Sequence, residues 1–140
     1  MKTYLLDSNV ISEWWKSKPD SKVMAWTERN SWLVPVVVIA EIQEGADRDP
    51  SIKRRLEISA RLETLVQEVP GVIVSWDAET ALKWARLAHS PEVRRKPQSL
   101  WDSLIDALAV RHGYTVATRN TGDFRHADTC NPWLPQRAGE

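Results

Sequence analysis

The stretch TYLLDSNVISEWW, residues 3–15, joins two local patterns. Thr3–Leu6 is a short apolar run, which predicts a buried strand. The run ends at Asp7, and a side-chain oxygen of Asp7 or Ser8 can cap a helix that continues to about Trp15. A buried strand that passes directly into a capped helix is typical of an α/β domain.

Strand and helix patterns alternate through the rest of the chain. Strands are predicted at Leu33–Val36, Val72–Ser75, Thr115–Thr118 and just before Asn131–Pro132–Trp133. Helices are predicted up to about Arg29, at Val38–Ala46, from Asp49–Pro50 to about Glu68, from Asp77 to Ala88 and at Ser99–His112, with a loop at Pro91–Pro97. The apolar residues expected to face the core are Ile52, Leu56, Leu62, Leu65 and Val66 in one helix and Ala78, Ala81, Leu82, Ala85 and Ala88 in the next. Residues 1–140 therefore predict a single α/β domain with a mostly parallel sheet.

The composition excludes several classes of protein. Nineteen basic and nineteen acidic side chains give no bulk attraction to nucleic acid, so RNA binding would need local basic patches. The longest apolar run, Leu33–Ala40, is far shorter than the ~20 residues that span a membrane. The single cysteine, Cys130, favours a reducing, cytoplasmic location. Eight tryptophans are unusual, and Trp14, Trp15, Trp26 and Trp32 are candidates for a protein interface.

Acidic side chains follow the predicted strands. Asp7 comes directly after the first strand, and Asn120 and Asp123 follow the strand at Thr115–Thr118. Asp102 and Glu41 lie early in helices that connect to these strands. Parallel α/β sheets bind ligands outside the carboxyl ends of their strands, so the four acids are expected to converge at one edge.

Asp106 adds a fifth acid, because it lies one helical turn after Asp102 and shares its face. Crowded carboxylates are costly unless they are protonated or paired with a cation. Oxygen ligands suit Mg²⁺ or Mn²⁺, whereas His89, His112 and His126 are too scattered for a zinc site.

Each acid also has a structural interpretation. Asp7 could only cap a helix, and Glu41 could only balance a helix dipole. Asp102 could complete a capping box with Ser99. Asp123 could belong to a turn, and Asp106 could be solvated. Only the convergence of four acids at matched strand ends favours a metal site.

Four motifs together resemble the PIN-domain family. They are Leu5–Glu13, Val38–Gly45, Trp101–Ala109 and Ala117–Phe124, and Asn131–Trp133 also recurs in the FitB-like branch of VapC-type toxins. Their order and spacing match over essentially the whole chain. The resemblance implies a PIN fold, a Mg²⁺- or Mn²⁺-dependent endoribonuclease, a homodimer and an inhibiting antitoxin partner.

The resemblance also assigns roles to residues. Asp7, Glu41, Asp102 and Asp123 match the family's acidic quartet. Asp7, Asp102 and Asp123 would hold the metal, and Glu41 would position a water molecule. Ser8 and Asn120 match supporting polar positions, whereas Asp106 stands where the family usually has a small residue and could be a ligand, a supporting group or a bystander.

The RNA backbone would need basic residues at the rim of this acidic site. Arg94, Arg95 and Lys96 are the first candidates, and Lys53, Arg54 and Arg55 are the second. Two other functions stay open. The chain could be a PIN-like module that binds RNA or metal without cleavage, or a phosphotransferase with Asp7 as nucleophile, although Asn9 stands where one such phosphatase class needs a second aspartate.

Overall fold

The structure is a computed structural model that describes residues 2–136, so residue 1 and residues 137–140 of the predicted domain lie outside the described residues. Its centre is one sheet of five strands. They are β1 (Tyr4–Leu6), β2 (Trp32–Pro35), β3 (Ile73–Val74), β4 (Thr115–Ala117) and β5 (Thr129–Cys130). The strand order is β3-β2-β1-β4-β5, and each of its four pairings is parallel. The predicted α/β class is confirmed.

Seven α-helices flank this sheet. They are α1 (Ser8–Trp14), α2 (Ser21–Arg29), α3 (Val36–Asp47), α4 (Ile52–Glu68), α5 (Ala78–Leu87), α6 (Pro91–Arg95) and α7 (Leu100–His112). Short 3-10 turns occur at Pro70–Val72 and Thr121–Asp123. Within residues 2–136, no helix has the length and apolar character needed to cross a membrane.

Side-chain caps explain most helix boundaries. Asp7, rather than Ser8, caps α1 by accepting from the Ser8 N–H. Asp77 caps α5 as predicted. The helix α7 ends at Gly113, whose φ of 73° is a left-handed conformation that glycine adopts without strain. The loop predicted at Pro91–Pro97 was wrong in part, because the Ser90 side chain caps the short helix α6 there.

The predicted start of α4 at Asp49–Pro50 was wrong. Ser51 is the cap, and its Oγ accepts from the Arg54 N–H, so the helix begins at Ile52. The predicted inner face was also wrong in part. Leu62 is buried, but Ile52 and Leu56 are 64% and 66% exposed.

The helix α5 turns its apolar stripe away from the protein. Leu82 is 60% exposed, whereas Thr80 is fully buried. Thr80 can be buried because its hydroxyl donates to Asp77 at 2.7 Å, and Trp84 packs inward because its Nε1 donates to Ser103 Oγ at 3.0 Å. Periodicity correctly predicted a helix with one apolar face, but the expectation that this face lies toward the core was wrong.

The core lies on both sides of β1 and β4 and includes Leu5, Leu6, Ile105, Leu108 and Val116. Trp26 belongs to this core at 1% exposure and contacts Tyr4 edge-on, so its suggested interface role was wrong. Trp14 and Trp32 pack on each other with ring centroids 4.9 Å apart.

Candidate active site

The strand order places the carboxyl ends of β1 and β4 side by side in the middle of the sheet. The chain continues from β1 to β2 on one side of this pair and from β4 to β5 on the other side. The junction between β1 and β4 is therefore a topological switch point, the place where parallel sheets bind ligands. The Asp7 N–H donates to the Ala117 carbonyl at 3.0 Å. Asp7 therefore lies at the junction because of the register between the two strands.

Asp7 is held rigidly. Its side chain is only 5% exposed, its Oδ1 accepts from the Ser8 N–H at 2.8 Å, and its Oδ2 accepts from Thr118 Oγ1 at 2.8 Å. Burial raises the pKa of the Asp7 carboxyl, the bonds from Thr118 and Ser8 act against this shift, and the charge of Asp123 adds to it. Among the described residues, no positive charge near Asp7 offsets the effect of burial on its pKa.

Glu41 shows the same electrostatic crowding more strongly. Burial, followed by repulsion from Asp7 and Asp102, raises the pKa of Glu41 from 4.5 to about 7, although the Ser8 side chain lowers it. Its Oε1 is buried and has no hydrogen-bond partner among the described residues. Such an oxygen is available to a water molecule, a cation or a basic side chain.

Asp102 and Asp123 complete the group. Asp102 lies half-buried in the first turn of α7, and its pKa is raised by burial and by the charges of Asp7 and Asp123. Asp123 lies exposed in the 3-10 turn Thr121–Asp123 that follows β4. Asp7 and Asp102 thus interact with each other and with both Glu41 and Asp123, so the structure brings the four predicted acids to one region.

The two predicted supporting residues occupy the same region. Ser8 begins α1 next to Glu41, where its side chain affects the pKa of that carboxyl. Asn120 directly precedes the turn with Asp123, and its N–H donates to Thr118 Oγ1 at 3.0 Å.

Three residues near the acids were missed at the level of sequence. Thr118 and Asn9 lie in two of the quoted motifs, but neither was given a role in the site. Asn9 Nδ2 lies 3.3 Å from Thr118 Oγ1 and 3.4 Å from Asp7 Oδ2, so these residues form one network around the Asp7 carboxylate. Arg125 lies close enough to lower the pKa of Asp102. Its position after the fourth motif gave a weak signal that could have identified it.

Asp106 does not join the acidic group. It is 1% exposed, and its carboxylate accepts from His126 Nδ1 at 2.7 Å and from the Ala127 N–H at 2.9 Å. The sequence correctly predicted that Asp106 and Asp102 lie one helical turn apart on α7. The segment after β4, however, covers Asp106 and donates the hydrogen bonds that its carboxylate accepts.

One member of the first basic cluster, Lys96, lies beside the turn with Asp123. Arg94 and Arg95 are exposed on the last turn of α6. Lys96 Nζ approaches the backbone of Gly122, since a Cβ at that position would be 3.9 Å from it. In the second cluster, Arg54 forms two hydrogen bonds with Asp49 instead.

The fit of a metal ion follows from these donors. The acids provide only oxygen, and a buried Glu41 oxygen without a partner suits a hard divalent cation. Within residues 2–136, however, no three His, Cys, Asp or Glu side chains form a group able to hold an ion together. Oxygen donors of this kind are the ones that Mg²⁺ and Mn²⁺ prefer, and Mg²⁺ usually keeps several water molecules in its coordination shell.

The chain is similar in sequence and in fold to known proteins. The family model described as PIN domain matches residues 4–129. The chain is 35% identical over 137 residues to the VapC ribonuclease Y4jK of Sinorhizobium fredii, covering 94% of this chain and 98% of that protein. It is 32% identical to the toxin FitB of Neisseria gonorrhoeae, covering 92% of this chain and 97% of that one. The solved structure of FitAB bound to the IR36 DNA fragment superposes with a TM-score of 0.79 at 28% identity, covering 96% and 99% of the two chains.

Proposed function

The chain belongs to the PIN domain family, and from this premise we propose that it is a divalent-metal-dependent endoribonuclease that acts as the toxin of a toxin–antitoxin pair in the cytoplasm. The observation that supports this best is the mutual repulsion of Asp7, Glu41 and Asp102 at the switch point of the sheet. Carboxylates concentrated without a neutralising cation are costly for folding, and a bound metal ion offsets that cost.

Asp7, Asp102 and Asp123 would hold one or two Mg²⁺ or Mn²⁺ ions, directly or through water. When bound, the metal would lower the pKa of the attacking water and offset negative charge on the phosphate. The partnerless Oε1 of Glu41 would accept a hydrogen bond from that water and orient it toward phosphorus. Thr118 and Asn9 would keep the Asp7 carboxylate in one orientation.

The reaction is hydrolysis of a phosphodiester bond. A water oxygen forms the new bond to phosphorus, the bond to the leaving oxygen breaks, and a proton is transferred to that oxygen. Arg94, Arg95 and Lys96 would bind the RNA backbone on the side of the turn with Asp123. Because the acids repel RNA, substrate binding should be strongly coupled to metal binding.

An antitoxin is the proposed protein partner. The groove beside Glu41 is lined by three acids, Glu41, Glu44 and Asp49, together with Arg48 and the ring of Trp101. Arg48 pairs with Glu44 at 3.1 Å and Arg54 pairs with Asp49 at 3.0 Å, which leaves Glu41 as the acid of this groove with no ion pair among the described residues. A basic side chain of an antitoxin segment would neutralise Glu41 and inhibit the site.

A second copy of the chain is the other proposed partner. The outward stripe of α5 contains Ala78, Ala81, Leu82 and Ala85, and Leu100 is exposed at 61% at the start of the neighbouring helix α7. Small residues around one leucine allow two helices to approach closely. We propose that the homodimer forms through this face, which leaves the acidic edge accessible.

The decisive experiment compares RNA cleavage by the wild type, freed of any partner, with that by Asp7→Asn. Both proteins are incubated with bulk cellular RNA in Mg²⁺ or Mn²⁺ and in EDTA. Asparagine has nearly the same shape and keeps one acceptor oxygen but removes the charge, so we expect a folded protein whose activity falls by at least about 100-fold. Cleavage should also stop in EDTA and return when Mn²⁺ is restored.

Two other outcomes would support other conclusions. Cleavage that persists in Asp7→Asn would contradict the assignment of the site. A folded wild type that binds Mn²⁺ and RNA but cuts no RNA would favour the non-cleaving module.

The phosphotransferase alternative is weakened by the structure, because both oxygens of Asp7 accept hydrogen bonds and its side chain is buried.

A further inference from the structure

A second polar cluster lies next to the turn with Asp123 and contains Asp106, His126, Ser90 and Gln98. Asp106 Oδ1 accepts from the backbone N–H groups of His126 at 3.3 Å and Ala127 at 2.9 Å, and Oδ2 accepts from His126 Nδ1 at 2.7 Å. One buried carboxylate therefore binds a two-residue stretch of the segment after β4 by three donors.

The imidazole of His126 extends this link to α6. The Asp106 carboxylate accepts from Nδ1, and the other ring nitrogen, Nε2, lies 2.8 Å from Ser90 Oγ and 3.7 Å from Glu92 Oε2. The same Ser90 Oγ accepts from the Val93 N–H at 3.3 Å and so caps α6. The chain of bonds runs from the start of the basic helix to the interior of α7.

Two further side chains join the same segments. Gln98 Nε2 donates to the Asp123 carbonyl at 3.0 Å and lies 3.5 Å from Asp106 Oδ2. Arg125 Nε donates to the Lys96 carbonyl at 2.8 Å, and its Nη1 bonds to the Gly122 carbonyl. The turn with Asp123 is thus fixed from Asp106 and from the end of α6.

The order of Ser90, His126 and Asp106 resembles the hydrogen-bonded relay of serine hydrolases. The Ser90 Oγ, however, is engaged on both sides, since it hydrogen-bonds to His126 Nε2 and accepts from the Val93 N–H of the helix that it caps. Such a hydroxyl fixes the position of two segments and is poorly placed to act as a nucleophile.

We propose that Asp106 and His126 are positioning residues that hold the turn Thr121–Asp123 so that the Asp123 carboxylate faces Asp7 and Asp102, and that Ser90 couples this turn to the basic helix α6. The contacts act on the backbone and not on the metal donors themselves. Their importance for catalysis rests on the proposed function. They also explain why an acid occupies position 106, since a small residue would leave three donors without a partner.

The experiment compares five variants by Mn²⁺ titration calorimetry, by steady-state cleavage of RNA and by amide hydrogen exchange of residues 121–127. In Asp106→Ala three donors lose their acceptor, and in His126→Leu the ring donor is lost. We expect both to weaken Mn²⁺ affinity by about 10- to 100-fold, as other supporting groups of metal sites do. Exchange of residues 121–127 should rise.

Two conservative variants separate the hydrogen bond between His126 and Asp106 from the one between His126 and Ser90. The amide of His126→Asn can replace Nδ1 as donor to Asp106 but cannot reach Ser90, and Ser90→Ala keeps the bond to Asp106. Both should bind Mn²⁺ within about threefold of the wild type and keep its kcat. They should raise KM for RNA, since α6 is no longer tied to the turn.

Thr80→Ala is the matched control for lost stability. Thr80 is buried and hydrogen-bonded like Asp106, but it lies by the far end of α7, where Arg111 pairs with the neighbouring Glu79. That end is about 14 Å from Asp102 along the helix axis. This variant should melt earlier with unchanged Mn²⁺ affinity, kcat and local exchange.

The proposal is overturned if Asp106→Ala binds Mn²⁺ within twofold of the wild type, or if its exchange at residues 121–127 rises no more than that of Thr80→Ala. A wild type that neither binds Mn²⁺ nor cuts RNA would refute the proposed function instead. Positioning would then be judged by the exchange data alone, which do not depend on catalysis.

Discussion

Replacing Glu41 with glutamine should stabilise the metal-free protein while it impairs the site. Glu41 has a pKa of about 7 in the folded protein, raised from 4.5 mainly by burial and by the charge of Asp7. A carboxyl whose pKa is higher in the folded state favours folding fully below about pH 4.5. That contribution is lost as the pH rises through 7 and the group ionises.

The magnitude follows from the two pKa values. The interval from 4.5 to about 7 corresponds to about 3.4 kcal/mol at 1.36 kcal/mol per pH unit. Glu41 is only partly buried, so solvent screening reduces the effect to about 1–2 kcal/mol. In EDTA, Glu41→Gln should therefore match the wild type near pH 5 and be about 1–2 kcal/mol more stable at pH 8, or about 3–8 °C higher in Tm.

Thermal melts from pH 5 to pH 8 in EDTA, repeated in saturating Mn²⁺, measure this difference. Mn²⁺ should stabilise the wild type more than the variant, because a ligand stabilises the folded state in proportion to its affinity. Glu57→Gln, an exposed position on α4, is the control and should show no pH-dependent gain. A Glu41→Gln difference that stays constant with pH, or a variant less stable at pH 8, would refute electrostatic crowding at this site.

Three further predictions concern substrate binding, the Asp7 network and assembly. Replacing Arg94, Arg95 and Lys96 together by alanine should weaken RNA binding and flatten its salt dependence, and the equivalent change at Lys53, Arg54 and Arg55 should have less effect; equal affinities by filter binding would exclude the first cluster. Thr118→Val should cost about 1 kcal/mol and raise the pKa of Asp7 further, because the lost hydrogen bond lowers it, so the pH–rate profile should move to higher pH; an unmoved profile would contradict this role. Leu82→Lys should yield monomers in light scattering with little change in Tm, since Leu82 is already 60% exposed, and persistent dimers would place the interface elsewhere.

The sequence by itself determined most of the elements and the four acids. Strand β1 and the cap of α1 follow from an apolar run that ends at Asp7, and α7 follows from a capping serine at one end and Gly113 at the other. These signals are local, since a cap or a left-handed glycine acts within one turn of the chain. The four motifs likewise identified Asp7, Glu41, Asp102 and Asp123, which the structure brings to one edge.

Only the tertiary structure decided which faces are covered and which polar groups meet. The stripe of α5 has clear helical periodicity, yet it faces outward because Thr80 and Trp84 find buried partners on the other side. Asp106 shares a helical face with Asp102, but the fold places a segment twenty residues later over it, with His126 as donor. Periodicity shows only which face of a single helix is apolar. The donors that satisfy a buried carboxylate come from distant parts of the chain, and only packing brings them within hydrogen-bond distance.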